Sequence, residues 1–108
     1  DSTRGMIAKA ALESMKPTAV LVNLARGPVV KTQDLADTLN NDVIAGAAID
    51  VFDKEPPLNL EEPLLHAKNT IVTPHIAFAS KESMSLRAQI IFENLRSWLD
   101  GNPINVVK

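Results

Sequence analysis

In the first half of this chain, segments with apolar residues at helical spacing alternate with short continuous apolar runs. This pattern predicts alternating helices and strands. Between residues 3 and 16 the apolar positions recur at helical spacing, which predicts a turn and a short helix ended by Pro17. The apolar positions of this helix are Ile7, Ala11, Leu12 and Met15. A short apolar run near residues 19–24 then predicts a buried strand. Leu35 and Leu39 predict a second helix, with Thr32 as its N-cap and Asn40–Asn41 as its stop.

The second half of the chain shows the same alternation between short apolar runs and segments with apolar residues at helical spacing. Six small or branched apolar residues open a predicted strand near residues 44–50, followed by a loop rich in proline and acid and one helical turn near residues 64–66. A third strand is predicted near residues 70–73 and a long helix near residues 80–99, capped by Ser80. Its apolar face comprises Met84, Ala88, Ile91, Leu95 and Trp98. Asp100–Gly101 ends it, and residues 104–108 form an extended tail.

This order of elements predicts an α/β fold. Strands that alternate with helices favour a parallel sheet joined by crossover connections, with helices on both of its faces. The chain has 108 residues, which is enough for one small domain. The carboxyl ends of parallel strands lie at one edge of the sheet, and ligands bind outside that edge in open α/β sheets.

Composition narrows the range of functions. The chain is 45% hydrophobic and 22% charged, with a net charge of -2, which gives no electrostatic reason to expect nucleic acid or an anionic membrane as a partner. It has no cysteine, which excludes a disulfide framework and thiolate metal sites, and no apolar run near the ~18 residues of a membrane span. A cytoplasmic protein is therefore expected. The four glycines are too far apart to form a Gly-x-Gly-x-x-Gly turn.

A distinctive polar residue follows each predicted strand. Arg26 follows the first, Asp50 and Glu55 follow the second, and His75 follows the third. Taken alone, each has an ordinary interpretation that is favoured: Asp50 caps a turn, and Glu55 is a solvated loop acid. Arg26 is then a surface arginine and His75 a structural histidine, the interpretation also given to His66.

The constellation changes this interpretation, because the three loops are predicted to meet at one sheet edge. An arginine binds a carboxylate through two parallel hydrogen bonds. A histidine exchanges protons near neutral pH, and a carboxylate bonded to it fixes its tautomer. Such a set suits the reversible reduction of a carbonyl group beside a carboxylate.

Three stretches of the sequence carry a family resemblance. NLARG at residues 23–27, AGAAIDVF at 45–52 with Glu55–Pro56 after it, and TPHIA at 73–77 resemble those of the NAD-dependent D-2-hydroxyacid dehydrogenases. The likeness covers nearly the whole chain. It implies the second half of a Rossmann-type dinucleotide-binding domain, without the glycine-rich turn and the substrate domain, so the chain is expected to be inactive alone.

The resemblance also implies a role for each residue. Arg26 matches the arginine that binds the substrate's carboxylate and carbonyl, His75 the acid/base, and Glu55 the partner of that histidine. Asp50 matches the aspartate that contacts the nicotinamide end of the cofactor. Three further positions match residues that line the cofactor: Leu24, Ala25 and Phe78. Many relatives have glycine where this chain has Phe78, which affects the shape of the pocket.

The resemblance implies NAD as the cofactor and a small 2-hydroxy or 2-keto acid as the substrate. Neither the particular acid nor the choice between NAD and NADP can be read from these residues. A second hypothesis is a non-catalytic regulatory protein, because some corepressors resemble the same family. Finally, an exposed apolar sheet edge predicts a homodimer or a larger homo-oligomer.

Overall fold

The computed structural model describes residues 2–107 as two compact units, residues 2–76 and 77–107. The first unit contains two α-helices and three strands: α1 (Lys9–Glu13), β1 (Val20–Asn23), α2 (Thr32–Asn40), β2 (Gly46–Ile49) and β3 (Thr70–Val72). Two 3-10 turns, Gly27–Val29 and Pro63–Leu65, lie in its loops. The second unit contains α3 (Lys81–Leu99). All three predicted strands are present, each slightly shorter than expected.

The strands form one parallel sheet in the order β1-β2-β3. Val20 pairs with Gly46, and Ala47 pairs with Thr70, so the strands are nearly level with one another. The prediction of a parallel α/β sheet is therefore confirmed, and the loops after the three strands leave the sheet at the same edge.

One face of the sheet carries the hydrophobic core. Ala47 and Ile49 point from β2 towards α1 and α2, and both are almost fully buried. The helices contribute Leu12, Leu35 and Leu39, which are at most 1% exposed. Burying a leucine side chain of this kind stabilises the fold by roughly 1.5–3 kcal/mol, so this layer holds the sheet edge in place.

The opposite face of the sheet is exposed, contrary to two expectations. Val20 and Val22 of β1 are 58% and 60% exposed, and Ile71 of β3 is 69% exposed. The expectation of a buried first strand, and of helices on both faces, is therefore wrong for residues 2–76. The reason is that both α-helices of this unit pack against the same face of the sheet.

Two further expectations at helix ends are corrected. Ile7 does not belong to α1, because it forms a parallel bridge with Val30. Thr32 is the first residue of α2 and not its N-cap, because the first helical bond runs from the Leu35 N–H to the Lys31 carbonyl oxygen at 3.0 Å. The predicted stop is confirmed, since α2 ends at Asn40 with Asn41 as its C-cap.

The second unit is dominated by α3. Ser80 caps it as predicted, and its side chain accepts a hydrogen bond from the Ser83 N–H at 3.1 Å. No residue of α3 is buried, so the predicted apolar face, from Met84 to Trp98, is exposed. The guanidinium of Arg87 lies 5.2 Å from the centre of the Phe78 ring. Lys108, the end of the predicted tail, lies outside the described residues. Among residues 2–107, no helix is both long enough and apolar enough to cross a membrane.

Candidate active site

The loop after β1 is held by Asn23, the buried last residue of that strand. Its side-chain oxygen accepts a hydrogen bond from the Ala25 N–H at 3.2 Å, and its Nδ2 donates to the Arg26 carbonyl oxygen at 3.0 Å. The amide therefore bonds the loop at two points, as asparagine commonly does in turns. Leu24, Ala25 and Arg26 are all exposed on this loop.

Arg26 lies at the sheet edge, where the strand order predicted it. Its Nη1 donates to the Ala25 carbonyl oxygen at 2.8 Å, so the guanidinium is bonded within its own loop. A guanidinium carries five donors in a planar fork, so this one bond leaves donor capacity for an incoming carboxylate.

Gly27 brings the loop after β1 against the loop after β2. A Cβ atom at this position would lie 2.0 Å from the carbonyl carbon of Phe52 and 2.5 Å from the nitrogen of Asp53. No side chain fits at such distances from backbone atoms, so only glycine allows this approach. The contact fixes the position of Arg26 relative to the segment that leads to Glu55.

Glu55 and His75 form a direct pair across two loops. Oε2 of Glu55 lies 2.6 Å from Nδ1 of His75, while its Oε1 accepts a hydrogen bond from the Phe52 N–H. The side chains are 24% and 42% exposed, so the pair is only partly shielded from water. A carboxylate can only accept, so the proton of this hydrogen bond lies on Nδ1.

The surroundings of Glu55 favour its ionised form. Desolvation, the largest influence, raises the pKa of the carboxyl, but hydrogen bonds from Phe52 and His75 and the charge of His75 lower it. The charge of Asp50 adds a smaller opposing influence. The net result is that the pKa of Glu55 lies below its ordinary value.

Asp50 is buried at the base of the site. It is 1% exposed, and its Oδ1 accepts hydrogen bonds from the Thr73 hydroxyl at 2.5 Å and from the Ile76 N–H at 2.9 Å. Its own N–H donates to the Asn23 carbonyl oxygen at 3.1 Å. Asp50 therefore connects all three loops, and its contact with a cofactor remains a prediction.

Leu24, Phe78 and His66, which were also named from the sequence, lie outside the pair of Glu55 and His75. Leu24 is 56% exposed at the end of β1, beside Ala25, so its apolar side chain is accessible to solvent. Phe78 belongs to the second unit and is 48% exposed. His66 lies apart from the pair: its Nε2 lies 2.7 Å from the Leu60 carbonyl oxygen, consistent with the structural interpretation.

Two residues that hold the site were not singled out from the sequence. Asn23 and Thr73 both stand where a strand ends, inside stretches quoted for the family resemblance. In the sequence, each is a small polar residue at the end of an apolar run, three positions before Arg26 in one case and two positions before His75 in the other. Their partners could not be read from it, since Thr73 bonds a residue 23 positions away.

Comparison with known proteins identifies close relatives. Residues 1–77 match a family model described as "D-isomer specific 2-hydroxyacid dehydrogenase, NAD binding domain". A hydroxypyruvate reductase of Blautia hydrogenotrophica is 43% identical over 105 residues, which cover 97% of this chain and 32% of that protein.

Comparison with solved structures indicates the same family. An NADPH-dependent glyoxylate/hydroxypyruvate reductase of Sinorhizobium meliloti superposes with a TM-score of 0.86 at 34% identity, covering 98% of this chain and 34% of that one. A D-isomer-specific 2-hydroxyacid dehydrogenase of Lactobacillus delbrueckii in complex with NAD gives a TM-score of 0.81 at 31% identity. The match covers 99% of this chain and 36% of that one. The chain thus spans about a third of the length of these relatives.

Proposed function

The chain belongs to the D-isomer-specific 2-hydroxyacid dehydrogenases, within their NAD-binding domain, and on this basis we propose that it forms part of an NAD-dependent oxidoreductase. The reaction is the reversible reduction of a small 2-keto acid to a D-2-hydroxy acid. The observation that supports this most strongly is the contact between His75 and Glu55 at the sheet edge from which the Arg26 loop also leaves.

His75 serves as the acid/base in this proposal. Because Nδ1 is bonded to Glu55, we assign Nε2 as the nitrogen that exchanges a proton with the substrate. NADH, when bound, would supply a hydride to the carbonyl carbon of the substrate. Nε2 of His75 gives its proton to the carbonyl oxygen, so that the 2-keto acid becomes a 2-hydroxy acid and the ring is left as a neutral imidazole. Glu55 holds the ring in one tautomer and one orientation.

Arg26 binds the substrate's carboxylate in the same proposal. Its exposed guanidinium at the end of β1 offers paired donors at fixed geometry, which also orients the neighbouring carbonyl group. Asp50 is assigned to the nicotinamide end of the cofactor, and Leu24 and Ala25 to the lining of the cofactor site. Phe78, in the second unit, keeps the cofactor-lining role that the family resemblance implies. The exposed apolar surface at Leu24 suits the face of an aromatic ring.

The test is turnover by the intact polypeptide that contains this chain. NADH and NADPH oxidation should be followed separately with glyoxylate, hydroxypyruvate and pyruvate. We expect turnover with at least one of these acids, and negligible turnover by residues 1–108 alone, because the match covers about a third of each relative. Cofactor binding by the intact polypeptide without turnover of any 2-keto acid would contradict the enzyme and favour the corepressor-like alternative.

We also propose that the chain associates with further copies in the cytoplasm. The exposed valines of β1, Val20 and Val22, lie on a strand whose outer edge has no partner strand among residues 2–107. Such an edge is a template for association. Light scattering of the isolated chain should give a mass above 11.7 kDa; a clean monomer at high concentration would rule this association out.

A further inference from the structure

The turn that carries His75 has a backbone conformation that needs support. His75 has a φ of +54°, in the left-handed region that residues other than glycine seldom adopt. The turn begins at Thr73, whose N–H donates to the Ile49 carbonyl oxygen at 2.9 Å, and the His75 N–H then donates to the Thr73 carbonyl oxygen at 3.1 Å. The position of the imidazole therefore depends on what holds the two flanks of this turn.

Both flanks are bonded to a single oxygen atom. Oδ1 of Asp50 accepts from the Thr73 hydroxyl on one side of His75 and from the Ile76 N–H on the other. Asp50 is itself almost completely buried at the end of β2, so its carboxylate is held by the core. Hydrogen bonds to a buried carboxylate are stronger than those between neutral groups.

We propose that Thr73 is a positioning residue for His75. Its hydroxyl orients the Asp50 carboxylate, which then holds both ends of the turn and sets the imidazole against Glu55. Thr73 touches no reacting atom in this account, so its effect passes through the placement of His75. The inference rests on the proposed function, in which His75 exchanges the proton.

The test compares substitutions that differ by a single hydroxyl in the intact polypeptide. Thr73→Val keeps the shape of the side chain and removes the donor, whereas Thr73→Ser keeps the donor. Thr70→Val is the matched control, because the Thr70 hydroxyl donates to the nearby Lys68 carbonyl oxygen at 3.0 Å, away from the His75 turn. Thr73→Ala replaces Thr73→Val if the latter does not fold.

We expect Thr73→Val to lower kcat by about 10-fold or more, the size of a lost hydrogen bond to a charged group. KM for the 2-keto acid should change little, because Arg26 is not moved. Thr73→Ser should restore most of the rate, and Thr70→Val should retain it.

A spectroscopic measurement separates positioning from a general loss of stability. The imidazole nitrogen and proton resonances of His75, assigned with a His75→Asn variant, should shift in Thr73→Val, while those of His66 stay in place. An unshifted His75 signal, a normal kcat, or failure of Thr73→Ser to restore activity would each overturn the inference. If His75→Asn itself retains full activity, the proposed function fails; if only Thr73→Val does, the function stands and the positioning role is wrong.

Discussion

Nδ1 of His75 lies 2.6 Å from Oε2 of Glu55, although the two residues are 20 positions apart. The second oxygen of the same carboxylate accepts a hydrogen bond from the Phe52 N–H, so Glu55 is tied to its own loop and to the histidine at once. A carboxylate held in this way fixes both the tautomer and the orientation of the imidazole.

Replacing His75 should abolish most of the activity of the intact polypeptide. We expect His75→Asn to lower kcat by about 10²–10⁴-fold, the usual contribution of a positioned acid/base. His66→Asn is the matched control, because His66 is exposed and its ring is bonded to the Leu60 carbonyl oxygen. Steady-state kinetics of both variants decide the matter, and equal losses in the two would contradict the assignment of His75.

Replacing Glu55 should change how stability depends on pH. Since the pKa of Glu55 is lowered in the folded chain, its carboxylate stabilises the fold above the ordinary value of 4.5, and this contribution is lost as the pH falls through the folded pKa. The difference in unfolding free energy between wild type and Glu55→Gln should therefore be present above pH 4.5 and shrink as the pH falls below it.

Denaturant unfolding at several pH values measures this difference. Glu61→Gln, which removes an exposed acid from the same proline-rich loop, shows the effect of losing one loop carboxylate. A difference for Glu55→Gln that does not shrink in acid would count against the hydrogen-bonded pair as its source.

Replacing Arg26 by lysine should weaken substrate binding although the charge is kept. Lysine cannot form two parallel hydrogen bonds with a carboxylate, so KM for the 2-keto acid should rise by roughly 10–100-fold. KM for the cofactor should change much less. Arg96→Lys, in the last turn of α3, is the control and should leave both constants unchanged. An unchanged KM in Arg26→Lys would remove Arg26 from substrate binding.

Replacing Gly27 should disturb the site and the fold together. The added Cβ would meet the Phe52 backbone at 2.0 Å, so we expect Gly27→Ala to lower the unfolding free energy by about 1–3 kcal/mol and to reduce activity. At Gly101 a Cβ would meet nothing within 4 Å, and only the positive φ of +76° opposes a side chain.

Gly101→Ala is therefore a control for loss of stability without a clash, at a cost of about 1–2 kcal/mol. Thermal unfolding and kcat should be measured for both variants. If Gly27→Ala keeps full activity, the contact between the Arg26 loop and the Phe52 backbone does not set the geometry of the site.

Local sequence patterns predict where the helices and strands lie better than they predict which residues pack around them. Ser80 was identified as a cap from the residues beside it, since capping bonds form within one helical turn. The apolar face of α3 was also identified, but not its exposure, because burial depends on what packs against a helix. Thr32 failed as a cap for a related reason: Lys31 is bonded to the distant Ile7, and this places the start of α2.

The amino-acid sequence alone predicts the parallel sheet, the order of its elements and the edge at which the polar loops leave it. Hydrophobic periodicity and chain order are local properties, and they suffice for that. The packing of the folded chain buries Asp50 and bonds it to Thr73, and it brings Gly27 against Phe52. Those contacts depend on the register of neighbouring strands, in which Ile49 pairs with Val72, and on loops that approach within hydrogen-bonding distance. Register is a property of the packed sheet, so no single stretch of this chain contains it.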